Sequence, residues 1–587
     1  MLIESLKRNN RGIPLFNYPE RLYAFAQRFM GRLMFLYFLQ KKGWLAGDKK
    51  FITNWFNKTK RERKNFYQSI LKPLFFEILN RKRPNDDSPF GKIPFLNGGL
   101  FEKDYDGLVY IPDTTIENIL KFLNSYNFTI SEEVPLEVEV AVNPEMLGKI
   151  FESMLPEYER GEKGTFYTPR PIVHYMCRES LKEYLVSFSD IPRYKILPLI
   201  EEGKVKQLTP AEAKKVNELL KNVKILDPAV GSGAFLVGMM QEIIRLRRAL
   251  GSILEEKILD AELKREIIQE NLYGVDIEPE AIEIARLRLW LSLVVDEEKP
   301  EPLPNLDYKI LQGNSLIGTI KGYNLLKLFE SGKLELQIGK KEVIPSKQLE
   351  LFSKIETLKK EKLKIEEKIK KGAYTLSQGK LKFLNFQLYQ INNQLKKLKP
   401  KDNIKVVKNQ DMFGIQVEVS DYHRLRNQFA FITDPLKRKE AKEKLQLYEK
   451  EIFRIAKEQI ISKFRQDINN IRERYKFRDI PKTKQNKINK LELTISEIDR
   501  IFSQYEKDKV KPFFLPQWEF KDIYREKGGF DIVIANPPYV RTQKLSDLPY
   551  REDLKNHHGY IDDLYVHRIF RAPKQVFYWK MRKLSLF

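Results

Sequence analysis

Cysteine and histidine are scarce: one cysteine, Cys177, and five histidines in 587 residues. A lone cysteine excludes an intrachain disulfide and a cysteine-built zinc site, and no metal is expected. It fits a reducing compartment. Five histidines leave little room for imidazole chemistry, and Cys177 and the histidines receive no catalytic role. Long apolar runs are missing too. Residues 1–16 lack a signal core. The most apolar early stretch, residues 29–39, contains Arg32 and is too short to span a bilayer. A cytoplasmic protein with no membrane partner is expected. Acids are outnumbered: 80 Asp and Glu against 105 Lys and Arg give a formal charge of +25. That excess suits a polyanion partner, nucleic acid before membrane, or a lysine-rich solvated surface. Apolar residues are not short, and 42% hydrophobic with 12% aromatic excludes a wholly disordered chain.

Residues 1–155 read as a helical N-terminal domain. Leu22, Phe25, Phe29, Leu33 and Leu36 recur at helical spacing, and Gly43 suits the C-cap. Gly98 and Gly99 mark a turn. Asn143-Pro144-Glu145 opens another helix. Residues 156–320 change pattern. Short apolar runs at 223–226, 272–275 and 308–311 each end in a glycine or acidic loop and alternate with helical stretches, which predicts a parallel α/β sheet. Residues 321–524 lose that pattern. Three seams suit paired helices: Leu351 to Ile369, Leu384 to Leu398, and Ile488, Leu491, Ile495, Ile498 and Phe502. This predicts a long helical, coiled-coil-like insert. Its lysines, such as Lys359 and Lys364, suit a solvated face or, more sharply, a DNA backbone. The strand signal returns at 530–535, so residues 525–587 carry the second part of the sheet.

The strand-end loops carry the chemistry. Asp227-Pro228-Ala229-Val230-Gly231-Ser232-Gly233 lets backbone approach a ligand at Gly231 and Gly233, or simply makes a tight strand–helix turn. It lacks the third glycine of a dinucleotide fingerprint and the Gly-Lys-Ser/Thr ending of a P-loop. Asp276 ends the second strand, where a carboxylate can accept from both hydroxyls of a ribose, or cap the helix starting near Pro279. It lies 43 residues beyond Gly233 by the numbering, against about 20 in dinucleotide folds. Asn536-Pro537-Pro538-Tyr539 is the sharpest signal. Prolines remove donors and hold carbonyls in a fixed direction. The Asn536 oxygen and the Pro537 carbonyl can accept both hydrogens of an exocyclic amine, and Tyr539 offers a ring for stacking. The bland alternative is a proline turn after a strand.

Together these motifs resemble the γ-class adenine-N6 DNA methyltransferases of the type IIG restriction–modification kind. Gly164-Thr165-Phe166-Tyr167-Thr168-Pro169, the Asp227 loop, Asp276, Gly313-Asn314-Ser315 and Asn536 to Tyr539 follow that order. The resemblance implies a Rossmann-like S-adenosylmethionine-dependent methyltransferase sheet. It implies that Thr168 and Asp227 hold the methionine end of the cofactor, that Gly231 and Gly233 line its pocket, and that Asp276 grips the ribose. Ile277 would pack on adenine and Asn314, where relatives often carry Asp, would face the adenine amine. Asn536, Pro537, Pro538 and Tyr539 would hold a target adenine flipped from double-stranded DNA.

The chain departs from the pattern after Val566, where relatives continue with further strands and a target-recognition domain. The expectation is a sheet incomplete at its C-terminal end. No acid-x-Lys nuclease motif follows Asp113, so cleavage would need a separate specificity or nuclease polypeptide. Three rival readings stay open: a protein-glutamine N-methyltransferase, since Asn-Pro-Pro-Tyr also serves amide methylation; a catalytically incomplete DNA-binding fragment; and a dinucleotide oxidoreductase.

Overall fold

In the computed structural model the described residues are 1–13, 16, 19–96, 99–101, 109–128, 141–142, 168–255, 259–315, 318–320, 323–324, 419–429, 432, 435–508, 511 and 513–536. The helix start at Asn143, the seams at 351–369 and 384–398, and the lysines at 359–368 lie outside them.

Four helices open the chain: α1 (Leu2–Asn9), α2 (Pro19–Lys41), α3 (Phe51–Arg61) and α4 (Asp113–Asn124). Leu22, Phe25, Phe29, Leu33 and Leu36 all bury on α2. Its end is a Schellman cap: Gly43 N–H donates to the Gln40 carbonyl and Trp44 N–H to that of Leu39. Gly43 sits at φ +76°, a conformation that costs glycine nothing. Two strands, β1 (Asn127–Phe128) and β2 (Ala141–Val142), pair in parallel.

Helices α5 (Arg170–Phe188), α6 (Arg193–Glu202) and α7 (Pro210–Asn222) precede the main sheet. Thr209 and Glu212 start α7 with a reciprocal capping box. The sheet then builds as β3 (Ile225–Asp227), α8 (Ala234–Leu254), α9 (Asp260–Glu270), β4 (Leu272–Asp276), α10 (Pro279–Asp296) and β5 (Ile310–Gln312). A short hairpin of β6 (Thr319–Ile320) and β7 (Tyr323–Asn324) follows. The last strand, β8 (Ile532–Val533), pairs with β3, and the order is β5-β4-β3-β8, all parallel. The order reverses at β3, so the chain leaves a crevice outside the carboxyl ends of β3 and β8.

Alternation along the strands splits the two faces. Ile225, Leu272 and Ile310 join the core that includes α2, α8 and α10, so the N-terminal helices and this face share one apolar interior. Lys42 Nζ on that interface donates to the Val295 carbonyl at 2.8 Å. Leu226, Val275 and Leu311 face the other way, against Phe514, Phe520, Ile523 and Phe530. These come from α14 (Pro516–Glu519), α15 (Lys521–Lys527) and their flanks.

Between β7 and β8 come α11 (Val419–Phe429), α12 (Pro435–Arg474) and α13 (Lys482–Asp508). Ion pairs Arg472–Glu492 and Lys457–Asp499 show α12 and α13 running antiparallel as a hairpin. Ile488, Ile498 and Phe502 of the expected seam are buried. Among the described residues no helix is long and apolar enough to cross a membrane.

Candidate active site at the carboxyl ends of the strands

Asp227 ends β3 and is 1% exposed. Its Oδ1 accepts from the Ala229 N–H at 3.0 Å, which folds the loop back over the strand end. Val230 N–H donates to the Val275 carbonyl at 2.9 Å, tying this loop to β4. Gly231 at φ +49° and Gly233 at φ +83° then turn the chain into α8. A Cβ on Gly233 would sit 3.2 Å from the Ala285 methyl, so α8 and α10 approach closely because glycine stands there. Arg288, buried on α10, donates to the Ser232 carbonyl at 2.8 Å and clamps the loop from below.

Asp276 is the hinge of the arrangement. Its Oδ2 accepts from Gly231 N–H at 2.9 Å, and its Oδ1 from Glu278 N–H at 3.0 Å. The second bond is the helix-entry role; the first reaches across to the neighbouring glycine loop. Each oxygen keeps a further lone pair, so two backbone donors fix the carboxylate without exhausting it. Ile277 follows, half-buried, and its carbonyl accepts from Gln312 Nε2 at 2.9 Å. Gly313 N–H donates to the Asp276 carbonyl at 2.8 Å. A Cβ on Gly313 would lie 2.8 Å from the Phe514 ring, so only glycine passes here. Asn314 is buried at 3% exposure. Ser315 Oγ donates to the Pro228 carbonyl at 2.8 Å, closing the third loop onto the first.

Across the switch point, Asn536 leaves β8. Its Nδ2 donates to Thr168 Oγ1 at 3.0 Å, joining two residues 368 positions apart. Thr168 and Pro169 lie at the start of α5, and Thr168 meets the amide of Asn536, a contact the sequence did not suggest. Pro537, Pro538 and Tyr539 lie outside the described residues. The structure therefore gathers Asp227, Gly231, Gly233, Asp276, Ile277 and Asn314 into one linked rim, and pairs Thr168 with Asn536 at the end of β8. Sequence reasoning also missed Arg288 and Gln312. Arg286 and Arg288 inside the mostly apolar 284–295 stretch were the available signal for the first; Gln312 gave none. Among the described residues no cluster of His, Cys, Asp and Glu could hold a metal.

Known proteins resemble this chain over parts of its length. Residues 270–576, more than half of the chain, match the family described as Eco57I restriction-modification methylase. The chain belongs to the Eco57I restriction-modification methylase family. Residues 203–300 also match the DNA-methyltransferase domain of MmeI. A protein of Methanocaldococcus jannaschii named as a type II restriction enzyme and methyltransferase is 36% identical over 50% of this chain and 27% of its own length. The Escherichia coli type II restriction enzyme and methyltransferase RM.Eco57I is 28% identical over 41% of this chain and 23% of its own. DNA methyltransferase A of Bacillus subtilis is 23% identical over 45% and 27%. The chain thus spans about a quarter of the length of these curated relatives. The solved structure of the type IIL enzyme MmeI in complex with DNA overlaps with a TM-score of 0.36 at 19% identity, over 54% of this chain and 39% of that one.

Proposed function

We propose that this family member is a DNA methyltransferase of a restriction-modification or phage-defence system, acting from S-adenosylmethionine on the N6 amine of adenine. The observation that carries the reading is the Asn536 amide at the switch point. With Nδ2 committed to Thr168, Oδ1 is left as the acceptor this side chain offers to a substrate amine.

The residues present suit the cofactor. Gly231, in a left-handed conformation, leaves bare backbone with only the Ala229 carbonyl, at 4.0 Å, near the place of a side chain, while Gly233 lets α8 and α10 close on the loop, and Asp276 keeps acceptor capacity for vicinal hydroxyls. Ile277 supplies an apolar wall, Asn314 a hydrogen-bonding group, and Asp227 and Thr168 polar groups for an amino-acid end. When bound, S-adenosylmethionine supplies an electrophilic methyl group. Asn536 Oδ1 accepts one hydrogen of the adenine amine, and the Pro537 carbonyl next along the chain accepts the other. Both turn the nitrogen lone pair outward and stabilise the positive charge that grows there. Tyr539 stacks on the flipped base. No general base is needed, because the amine proton leaves after attack. The residues work mainly by placement, worth up to about 7–11 kcal/mol.

The test is transfer of labelled methyl to mixed-sequence duplex DNA, with a protein extract as rival acceptor. N6-methyladenine is expected, falling at least about 100-fold in Asn536→Ala, roughly the loss of one such electrostatic contact, while cofactor affinity holds. Label in glutamine side chains would replace DNA by protein as substrate. Loss of cofactor affinity with normal turnover in Asn536→Ala would remove Asn536 from the chemistry.

A further inference from the structure

Near the sheet the α12–α13 hairpin is electrically balanced. Arg438 pairs with Asp307 at 2.9 Å, Lys457 with Asp499 at 2.6 Å, and Arg454 with Glu451 and Glu458 at 2.6 Å each. Toward its turn the balance fails. Residues 471–490 hold eight cations against two acids, Glu473 and Asp479. Arg472 pairs with Glu492 at 2.9 Å. Among the described residues the other seven cations make no ion pair. Concentrating one sign at a tip costs self-repulsion, which a polyanion relieves.

The same turn exposes aromatic surface. Phe477 is 94% exposed. Lys476 Nζ lies 5.8 Å from the Phe477 ring and the Arg478 guanidinium 4.8 Å from the Tyr475 ring. An apolar ring flanked by cations is the chemistry that meets a nucleic-acid groove, with the ring against sugars or a base step and the cations on phosphates.

The hairpin holds this tip well away from the sheet. Phe453 packs on Tyr505 and Phe513 at the base. From Phe453 to Arg474 the helix runs roughly 30 Å, at about 1.5 Å per residue. The base itself is anchored by buried ion pairs. Arg426 meets Glu519 Oε2 at 2.7 Å and Lys511 meets Glu519 Oε1 at 2.9 Å. The tip therefore sits at the end of an arm whose root is fixed to the sheet, rather than on a free tail.

We propose that the α12–α13 turn is a sequence-independent contact to duplex DNA: Lys482, Lys484 and Lys487 meet backbone phosphates while Phe477 enters the minor groove. This rests on the reading of DNA as substrate, and it places the second DNA contact on the helical arm, remote from Asn536. Such contacts set register and affinity, not sequence choice.

The experiment measures binding of the full chain to a mixed-sequence duplex of about 30 base pairs, by anisotropy, between about 50 and 300 mM salt. Changing Lys482, Lys484 and Lys487 together to Ala is expected to flatten the log–log salt slope by about 2–3 and to weaken binding at least tenfold near 0.1 M salt. Phe477→Ala weakens binding with the slope unchanged. A control triple at exposed lysines elsewhere, Lys49, Lys206 and Lys214 to Ala, keeps the wild-type slope. Equal thermal midpoints exclude misfolding. The proposal is overturned if the tip triple behaves as the control triple. It is also overturned if the wild-type chain binds no duplex, or prefers structured RNA or anionic phospholipid vesicles by tenfold or more. Methyl transfer is scored separately. Transfer with tip-insensitive binding removes this surface alone; tip-sensitive binding to duplex without transfer to DNA removes the proposed activity alone.

Discussion

An ionisable amine stands at the entry to β5 in a place where water does not reach. It belongs to Lys309. Its Nζ is buried without a hydrogen-bond partner among the described residues, 3.9 Å from the centre of the Tyr273 ring. Burial, helped by Lys224, pushes its pKa down to about 7. The aromatic face opposes that by favouring the charged form. A lysine neutral in the folded state and charged in the unfolded one binds fewer protons when folded. Stability therefore rises with pH from about 7 to the ordinary lysine value near 10.4, and the cost is full below 7. Lys309→Met is expected to be more stable than wild type at pH 6, by on the order of 3 kcal/mol. Urea midpoints at about pH 6 and 9.5 check this, since the variant should lose the rise and no longer lead at the higher value. A variant less stable than wild type at pH 6 would show that the charged ammonium is held by Tyr273 after all. None of this was visible beforehand: Tyr308-Lys309-Ile310 reads as an ordinary strand entry, and the Tyr273 ring that Lys309 meets packs against Phe520 and Phe530, two rings more than 200 residues further along the chain.

Elements whose pattern is local were legible. The α2 stripe and the Ile488–Phe502 seam write their partner-facing side in a period of three to four residues, and the loops after β3, β4 and β5 are marked by their glycines and acids. What joins the elements was not, because it depends on pairs distant in sequence. Asp307 lies between Arg286 at 3.4 Å and Arg438 at 2.9 Å. Burial acts to raise its pKa, but Lys442, Arg286 and Arg438 outweigh it and hold the carboxyl well below the usual range. Glu519 is the same device, held by Arg426 and Lys511. Burial raises it, while Lys511 and Arg426 draw it down to about 2. Removing one member of a buried set leaves the others uncompensated, at about 3–5 kcal/mol. Glu519→Gln should therefore loosen the root of the arm first. Limited proteolysis in increasing urea checks this: cuts within 435–508 are expected at lower urea than in wild type, while 170–315 keeps its protection. Simultaneous loss of both regions at the wild-type midpoint would mean that Glu519 is dispensable to the arm.

For the whole molecule the consequence of the strand order is a site assembled from five separated segments, around Thr168, Asp227 to Gly233, Asp276 to Glu278, Gly313 to Ser315, and Asn536. The sequence displayed each segment, and their chain order carried the family resemblance; that Thr168 would meet Asn536, or that Gln312 would buttress Ile277, needed the docked β8 and the packed α5. An unfolded chain holds no such arrangement, so a ligand of the full site binds the native state almost exclusively. Linkage then predicts a stability gain of about 2.7 kcal/mol at a concentration 100 times the dissociation constant. S-adenosylmethionine and its demethylated product should both raise the thermal midpoint. Methionine alone should do so far less, because it lacks the ribose that Asp276 is proposed to grip. Asp276→Asn tests the centre of that argument. Asparagine keeps the size but has one acceptor oxygen where Asp276 has two, so it can serve either Gly231 or Glu278 and not both as now. It would lose the paired acceptors for a ribose and loosen the glycine loop in one change. The expected result is at least a tenfold weaker midpoint shift with the cofactor, with the unliganded midpoint lowered modestly. An undiminished shift in Asp276→Asn would mean that the cofactor is gripped elsewhere along the crevice.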